Sequence, residues 1–178
     1  RLNKYFDSIA DRLREGQGCF IFAATGGRAK RVTKYIADRL AEYQPLLSYY
    51  FVPWRDFALN AYVQEIEAAA KLEEKVEGEG AEKVRQEYDI ATRVSRDTYY
   101  VMAACDMLVI SGLAPGYIHE LRFLDRLLEG RYNRRYPTIL LTPRQLTELS
   151  ADLQAVDPAN QYWGRLFTRM YERSLIAV

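Results

Sequence analysis

The sequence has few of the residues that build metal centres or disulfide frameworks. Its 178 residues include two cysteines and one histidine. Cys19 and Cys105 both lie in apolar stretches with no second cysteine at metal-ligand spacing, and His119 is the single histidine. We therefore expect neither a zinc site nor a Cys–His catalytic pair. Two buried free thiols are typical of a reducing compartment, which predicts a cytoplasmic protein.

Long hydrophobic runs and a targeting segment are also lacking. The longest uninterrupted apolar stretches are about half a dozen residues, whereas a membrane-spanning helix needs about 20. No basic segment followed by an apolar one precedes the first elements, so we expect no association with a membrane. The sequence starts at Arg1 within a helical pattern, and we expect it to be a fragment of a longer protein.

Charge of one sign does not dominate, because 25 basic residues face 24 acidic ones. An apolar fraction of 49% and a charged fraction of 28% are typical of a globular domain, and the length predicts a single domain over residues 1–178. The basic residues after position 90 are all arginines. The guanidinium group of arginine suits forked contacts to phosphate or carboxylate. A GC-rich genome is the alternative explanation for this preference for arginine over lysine.

Apolar runs alternate with amphipathic segments along the chain. Runs bounded by turn signals predict buried strands, here residues 19–24, 46–52, 107–111, 137–142 and 174–178. Apolar residues at helical spacing predict helices over 5–13, 118–128, 144–153 and 162–172, and another through the stripe Val32, Ile36, Leu40 and Tyr43. Residues 57–104 predict a long helical hairpin, interrupted by Gly78-Glu79-Gly80.

Strands that alternate with helices predict an α/β fold. The expected architecture is a three-layer parallel sheet of about five strands flanked by helices, with the hairpin at 57–104 as an insertion. In open sheets of this kind ligands bind beyond the carboxyl ends of the strands. Residues 25–30, 111–116 and 142–144 all follow predicted strands, so we expect them to meet at that edge.

The first strand, a glycine-containing loop and a helix form the arrangement of a phosphate-binding loop. Such a loop uses glycines so that backbone N–H groups face the phosphates, a lysine for the β- and γ-phosphates, and a Ser or Thr hydroxyl for Mg²⁺. Here the segment from Ala23 to Arg31 reads AATGGRAKR. Gly26, Gly27, Arg28 and Lys30 are the candidate phosphate contacts, because they place positive charge beside a helix N-terminus.

At this point the chain resembles the AAA+ ATPase domain of bacterial helicase loaders and transposition helper ATPases, the DnaC/IstB-like family. The resemblance runs from about Tyr5 to Val178. Four blocks carry it, the phosphate-loop block 20–40, the acidic-strand block 106–113, the helix and sensor strand over 120–142, and the arginine-bearing helix 164–172. The resemblance implies a parallel P-loop fold and a nucleotide site at the loop.

The phosphate loop departs from the family pattern. In the ungapped alignment Arg28, Ala29 and Lys30 occupy the positions of the Gly-Lys-Thr triplet, so Ala29 replaces the essential lysine. Shifting the alignment to use Lys30 as that lysine places Arg31 at the hydroxyl position. Neither alignment gives a complete phosphate-loop motif.

The acidic strand and the sensor strand depart as well. Ser111 and Gly112 occupy the positions of the family's acidic pair, and Pro143-Arg144 displaces its asparagine, leaving Thr142 as the polar end. Phosphoryl transfer depends on positioning and on neutralising charge. We therefore expect no catalytic residues, degenerate positions at Ala29, Ser111 and Gly112, and no required cofactor, with ATP or ADP as the alternative ligand.

Two arginine groups are candidate functional residues. Arg165 and Arg169 lie one helical turn apart, and the resemblance implies that arginines of this helix reach a nucleotide in a neighbouring subunit. An exposed face that pairs with local acids such as Glu172 is the alternative. Arg131, Arg134 and Arg135 alternate with tyrosines and are candidates for contact with a nucleic-acid backbone, with a solvated surface as the alternative.

These observations favour a non-catalytic AAA+-like module, or pseudo-ATPase. It would act as a scaffold or partner-binding subunit in DNA replication, helicase loading or transposition. The expected partner is a related AAA+ ATPase, a helicase or a second copy of the chain, and DNA is a further candidate. The alternatives are an active DNA-dependent ATPase with an unorthodox site that uses Lys30, and a nucleic-acid-binding adaptor with an Arg/Tyr surface.

Overall fold

The computed structural model of the protein describes residues 2–43, 46–67 and 81–177. In these ranges helices and strands alternate. Their bounds are α1 (Leu2–Asp7), α2 (Ile9–Glu15), β1 (Gly18–Ile21), α3 (Gly26–Ala41), β2 (Tyr49–Pro53), α4 (Trp54–Tyr62), a π-helical turn (Val63–Glu67), α5 (Ala81–Ala104), β3 (Met107–Ser111), α6 (Ile118–Arg134), β4 (Thr138–Leu141), α7 (Leu146–Val156), α8 (Trp163–Arg173) and β5 (Ser174–Ala177).

The strands form one parallel sheet in the order β2-β3-β4-β1-β5. In the centre of the sheet, β4 pairs with β1 and β3, and Ile139 lies opposite Cys19 on one side and Val109 on the other. Helices connect the strands and flank the sheet, since each parallel pair needs a crossover. The predicted α/β fold with a parallel sheet is confirmed.

Two hydrophobic cores cover the two faces of the sheet. Successive strand residues point to opposite faces, so Cys19 and Ile21 join one core and Phe20 joins the other. The first core is closed by apolar residues of α1, α2 and α3, and the second by residues of α4 to α8 that include Phe57, Met102, Leu124, Leu149 and Leu166. Both predicted thiols, Cys19 and Cys105, are buried and free, and burial raises the pKa of Cys19 to about 12.

Several element boundaries differ from the sequence prediction for local reasons. The N-terminal helix is divided at Ser8, whose hydroxyl donates to the carbonyl oxygen of Lys4 at 3.0 Å and competes with helical bonding. Strand β1 ends at Ile21, before the predicted end, because Ala23 has φ +52°. Helix α6 continues past Gly130, the predicted end, for one more turn to Arg134.

The described part of the predicted hairpin consists of two neighbouring helical arms. The first is α4 with the π-helical turn, and the second is α5. The arms are joined by polar contacts, since the Gln64 amide donates to the carbonyl oxygen of Ser95 at 2.9 Å. Phe57 anchors the first arm, with its ring 5.1 Å from that of Phe123 on α6. The predicted interruption at Gly78-Glu79-Gly80 lies outside the described residues.

Arg131 of α6 binds the C-terminal end of α5 to the start of β4. The residue is 1% exposed. Its Nη1 donates to the carbonyl oxygens of Met102 at 2.7 Å and Cys105 at 2.8 Å, which end α5. Its Nη2 donates to the carbonyl oxygen of Pro137 at 2.7 Å, and Nε donates to the Thr138 hydroxyl at 3.0 Å. One guanidinium therefore binds four acceptors from two segments.

The predicted contact of Arg131 with nucleic acid is wrong. All three guanidinium nitrogens point into the protein, where carbonyl oxygens compensate for the lost hydration. Burial lowers the pKa of Arg131 and Cys105 partly opposes this effect, but a guanidinium stays protonated in proteins. Arg134 and Arg135, at the end of the same helix, are exposed.

Replacing Arg131 should therefore destabilise the fold. Arg131→Met keeps an unbranched chain but removes the guanidinium donors of several buried oxygens, which should lower the free energy of unfolding by about 3 kcal/mol. Urea denaturation measures this loss. The matched variant is Arg134→Met on the same helix, whose exposed side chain should contribute less than about 0.5 kcal/mol. Equal losses in the two variants would contradict the role assigned to Arg131.

Candidate functional site

The candidate site lies at the carboxyl edge of the sheet. Leu113, just after β3, donates its N–H to the carbonyl oxygen of Leu141 at 2.8 Å. Ala23, just after β1, donates to the carbonyl oxygen of Arg144 at 2.9 Å. The segments that follow β1, β3 and β4 are thus joined at one edge, as the sequence predicted.

The loop between β1 and α3 uses its own backbone N–H groups within the protein. Ala23 and Ala24 donate to the carbonyl oxygens of Arg144 and Thr142, both at 2.9 Å, and Thr25 donates to the carbonyl oxygen of Ala23 at 3.0 Å. A phosphate-binding loop needs such groups turned toward the ligand. In this arrangement three consecutive donors are unavailable to a phosphate.

The first turn of α3 keeps donors that face outward. Gly26, Gly27 and Arg28 precede the first helical bond, which Ala29 donates to the carbonyl oxygen of Thr25 at 3.1 Å. Residues 25–28 are exposed, and the space beside Gly26 is open. The positive end of the helix dipole therefore faces solvent. A methyl group added at Gly27 would lie 3.3 Å from an Arg31 guanidinium nitrogen, so Arg31 folds back over this turn.

A groove of about 660 Å³ lies between α3 and the ends of the neighbouring strands. It brings together Ala29 and Lys30 of the predicted loop with Ser111 and Gly112 of the predicted acidic strand. Gly26, Gly27 and Arg28 lie outside its wall. The groove is lined by Ala24, Ala29, Lys30, Thr33, Lys34, Ala37, Phe51, Ser111, Gly112 and Leu141.

The groove is positively charged and has no carboxylate in its lining. Lys30 is exposed, while Lys34 forms an ion pair of 2.8 Å with Asp38 on the next turn of α3. Mg²⁺ prefers carboxylate oxygens, often together with substrate phosphates. Within the described ranges no cluster of three His, Cys, Asp or Glu side chains is arranged to hold a metal ion. The lining suits an anion better than a divalent cation.

Gly112, at an acidic position of the family pattern, and Thr142, at the end of the sensor strand, both have structural roles. Gly112 has φ +78°, a conformation that favours glycine, and it turns the chain after β3. Thr142 is fully buried, and its hydroxyl donates to the carbonyl oxygen of Leu113 at 2.8 Å and accepts from the N–H of Arg144 at 3.2 Å. Its hydroxyl is therefore occupied in joining the ends of β3 and β4.

The two candidate finger arginines are bound to acids of their own chain. Arg165 and Arg169 of α8 contact the two oxygens of Asp125 on α6, at 2.8 and 2.6 Å, and Arg169 also contacts Glu129 at 3.0 Å. The Asp125 side chain is only 7% exposed. Arg169 is 18% exposed and Arg165 57%. The local acids are thus Asp125 and Glu129, whereas Glu172 accepts from the hydroxyl of Tyr132.

A second buried carboxylate, that of Asp157, holds the start of α8. It accepts the N–H groups of Gln161 and Tyr162 at 3.0 and 2.8 Å and that of Trp163 at 3.0 Å. Burial alone would raise the pKa of Asp157, but these backbone donors and nearby Arg165 outweigh it, so the pKa is lowered. Sequence reasoning missed both Asp125 and Asp157. A carboxylate within reach of unpaired donors at a helix start was the available signal for Asp157.

Neither a protein-family model nor a curated protein matches this sequence. The comparison with solved structures does find matches, at low identity. Three of them illustrate the similarity.

A DnaC helicase loader is 14% identical with a TM-score of 0.56, and the match covers 98% of this chain and 87% of that chain. A putative primosome component from Streptococcus pyogenes serotype M3 is 13% identical with a TM-score of 0.57, over 97% and 76%. DnaA from Aquifex aeolicus, bound to AMPPCP, is 14% identical with a TM-score of 0.59, over 99% and 45%. At this identity the similarity shows the fold alone. The chain has a DnaC-like AAA+ fold, which confirms the fold that the resemblance implied.

The stability that Asp157 provides should disappear in acid. Its folded-state pKa is lower than the value of about 3.9 in an unfolded chain. Its contribution is therefore complete above the unfolded value and is lost as the pH falls through the folded value. Asp157→Ala should lower the free energy of unfolding by about 1–3 kcal/mol near neutral pH.

Urea denaturation at several pH values tests this expectation. The gap between wild type and Asp157→Ala should narrow as the pH falls below about 4. The matched variant is Asp56→Ala, which removes an exposed carboxylate from the first turn of α4 and should change stability by less than about 0.5–1 kcal/mol. A gap for Asp157→Ala that stays constant over this pH range would contradict the assignment.

Proposed function

We propose that this protein is a non-catalytic AAA+-like module that serves as a scaffold or partner-binding subunit in DNA replication, with helicase loading or transposition as its setting. The observation that carries the proposal is the closed loop after β1. Its three consecutive N–H groups, from Ala23 to Thr25, donate to carbonyl oxygens of the protein itself. A phosphate that approached residues 23–25 would find donors already bound to carbonyl oxygens, while the N–H groups of Gly26, Gly27 and Arg28 remain free.

The missing side chains support the same proposal. Phosphoryl transfer needs a cation at the β- and γ-phosphates, a metal shell and a group that positions water. Ala29 has no charge, Ser111 has no carboxylate, and Gly112 has no side chain. Gly112 also has a backbone conformation that disfavours other residues. Restoring an acid there would strain the turn after β3.

The similar structures support a setting in DNA replication. Their printed descriptions are a helicase loader, a putative primosome component and a replication initiator. One structure of the initiator DnaA is described as bound to AMPPCP and single-stranded DNA. We infer that this chain works beside a helicase or a related ATPase in a cytoplasmic replication or transposition complex. Its own contribution is a folded surface.

Arg165 is the stronger of the two candidates for completing a nucleotide site in a neighbouring subunit. Arg169 is nearly buried between Asp125 and Glu129, and its release would break two ion pairs. Arg165 has one ion pair, to Asp125, and a largely exposed side chain. It can therefore turn outward at the smaller energetic cost.

A second candidate function rests on the groove beside α3. Lys30 and Ser111 share this groove without a carboxylate between them, and the first turn of α3 presents free donors near its mouth. This arrangement favours an unorthodox anion site that uses Lys30. It is the structural basis for the alternative of an active, DNA-dependent ATPase.

Titration of the folded protein with a fluorescent ATP analogue, with and without Mg²⁺ and competed by ATP, tests the main proposal. We expect no competable binding up to millimolar nucleotide and no release of phosphate from ATP, with or without single-stranded DNA. A cooperative urea transition of the same sample shows that the fold is intact.

Two neighbouring cations separate the main proposal from the alternative. Lys30 lines the groove, whereas Arg31 lies outside its lining. Mg²⁺-dependent turnover that Lys30→Ala abolishes and Arg31→Ala preserves would refute the pseudo-ATPase proposal. It would establish the unorthodox ATPase in its place.

The role of Arg165 has its own test, in a mixture of this protein with a helicase or AAA+ ATPase that binds it. Arg165→Ala should lower the turnover of that ATPase by about tenfold or more, since arginine fingers are worth large factors. Glu172→Gln, on the exposed side of the same helix, is the matched control. Unchanged turnover with Arg165→Ala would contradict the role of Arg165 as an arginine finger and would leave the scaffold role unaffected.

A further inference from the structure

A hollow of about 340 Å³ opens at the amino edge of the sheet, opposite the groove beside α3. It lies between the end of α2, the segment before β2, the end of α6 and the start of β4. Leu13, Leu47 and Pro137 supply apolar lining, and Asp106 lies where β3 begins. We call this feature the amino-edge hollow.

The rim of the amino-edge hollow is positively charged. Arg14, Arg134 and Arg135 all line it. Among the residues that the structure describes, Arg134 and Arg135 have no carboxylate within ion-pair distance, and Arg14 has only an exposed pair with Asp11 at 3.2 Å. The other arginines at the ends of α6 and α8, by contrast, have acceptors inside the protein. The guanidinium groups of Arg134 and Arg135 are therefore available to an external acceptor.

The single acid in the lining does not neutralise this rim. The Asp106 carboxylate accepts the N–H of Ser48 at 2.9 Å and the Ser48 hydroxyl at 2.6 Å. Ser48 in turn accepts the N–H of Asp106 at 3.0 Å. This closed exchange joins the starts of β2 and β3 and holds the carboxylate in place, and its one negative charge is outnumbered by the three arginines of the rim. The hollow keeps a net positive charge toward a ligand.

An unusually exposed apolar side chain stands beside these cations. Leu46 is 92% exposed, the largest exposed fraction among the large apolar residues that the structure describes. It borders the hollow together with Leu13 and Tyr136. An exposed leucine next to an apolar floor lowers the free energy when a partner's apolar side chain covers both.

The backbone at the hollow is closely packed, and Arg135 has a conformation that disfavours residues with side chains. Gly16 at the end of α2 has φ +68°, and a methyl group added there would lie 2.8 Å from the backbone of Arg135. Arg135 itself has φ +58°, where glycine is the common residue at the end of a helix. An arginine here places its side chain at the rim at some conformational cost, which is typical of a functional position.

We propose that the amino-edge hollow docks an acidic peptide segment of a partner protein that also carries a large apolar side chain. This inference rests on the proposed partner-binding role and names the surface that fulfils it. Carboxylates of the segment accept from the Arg134 and Arg135 guanidinium groups, whose planar forks match a carboxylate in shape. The apolar side chain lies between Leu46 and the floor.

The apolar part of the hollow favours a peptide over a nucleic-acid strand. A phosphate backbone is bound by a track of cations that follows the strand, with aromatic rings for the bases. Here the cations surround one hollow, whose floor is mainly aliphatic. Leucine and proline side chains match an aliphatic residue of a peptide better than a base.

Selection from a random dodecapeptide display library on the folded chain identifies the occupant without bias. We expect enrichment of peptides that combine Asp or Glu with Leu, Ile or Phe. An enriched peptide is then labelled and titrated by fluorescence anisotropy at about 0.15 M ionic strength, where long-range attraction is screened.

The decisive comparison uses two charge-matched double variants. Arg134→Gln with Arg135→Gly removes both rim cations, and glycine suits the backbone at position 135. We expect the affinity for the enriched peptide to fall about tenfold or more. Arg28→Gln with Arg31→Gln removes the same charge at the opposite edge and should change the affinity by less than about twofold. Leu46→Ser should weaken binding by about threefold or more.

Four outcomes would overturn the proposal. They are a selection without acidic and apolar peptides, an enriched peptide that keeps its affinity for the rim variant, equal losses in the two double variants, and binding of a single-stranded oligonucleotide that depends on the rim arginines more strongly than peptide binding does. Self-association that the rim variant abolishes would assign the hollow to a second copy of the chain. None of these measurements involves ATP, so failure here is distinct from failure of the pseudo-ATPase proposal.

Discussion

The buried guanidinium of Arg131 is the interaction on which the amino edge of the sheet depends. Arg131 reaches from α6 to the end of α5 and the start of β4, and most of its acceptors are buried backbone oxygens that need donors in the interior. Helix α6 ends three residues later, where Arg135 has φ +58°. Arg134 and Arg135 therefore stand at the amino edge, and the backbone of Arg135 meets that of Gly16. The buried arginine and the two exposed ones thus lie within about one turn of the same helix end.

The carboxyl edge is ordered by a different set of bonds. There the ends of β1, β3 and β4 exchange backbone hydrogen bonds directly, and the Thr142 hydroxyl completes the connection. In a phosphate-binding loop, backbone N–H groups face the ligand. Here the protein satisfies them itself. These bonds stabilise the edge without a ligand, and they are the basis on which we propose a non-catalytic role.

The sequence predicted the layers of the fold well and the roles of its charged side chains poorly. Buried parallel strands consist of continuous apolar runs such as that around Val109, and this pattern needs no tertiary information. The fate of Arg131, by contrast, depends on which carbonyl oxygens lie opposite it after the chain has folded. Arg134 and Arg135 are the same type of residue as Arg131 and differ from it only in their position at the helix end. The closure of the loop after β1 was equally hidden, since residues after β4 supply its acceptors.

Unpaired charge, and not the number of arginines, is the criterion on which the proposed docking surface rests. Arg126 contacts Glu65 at 2.9 Å and lies over the rings of Tyr99 and Phe123, so its charge and its plane are both used within the fold. Arg169 is equally occupied. Such residues stabilise the contact between helices and have little capacity left for a partner. Among the described residues, Arg134 and Arg135 of the amino-edge hollow have no such ion pair, and the exposed Leu46 stands beside them. Charge and apolar surface together, on a closely packed edge, are the observations from which we infer a binding surface there.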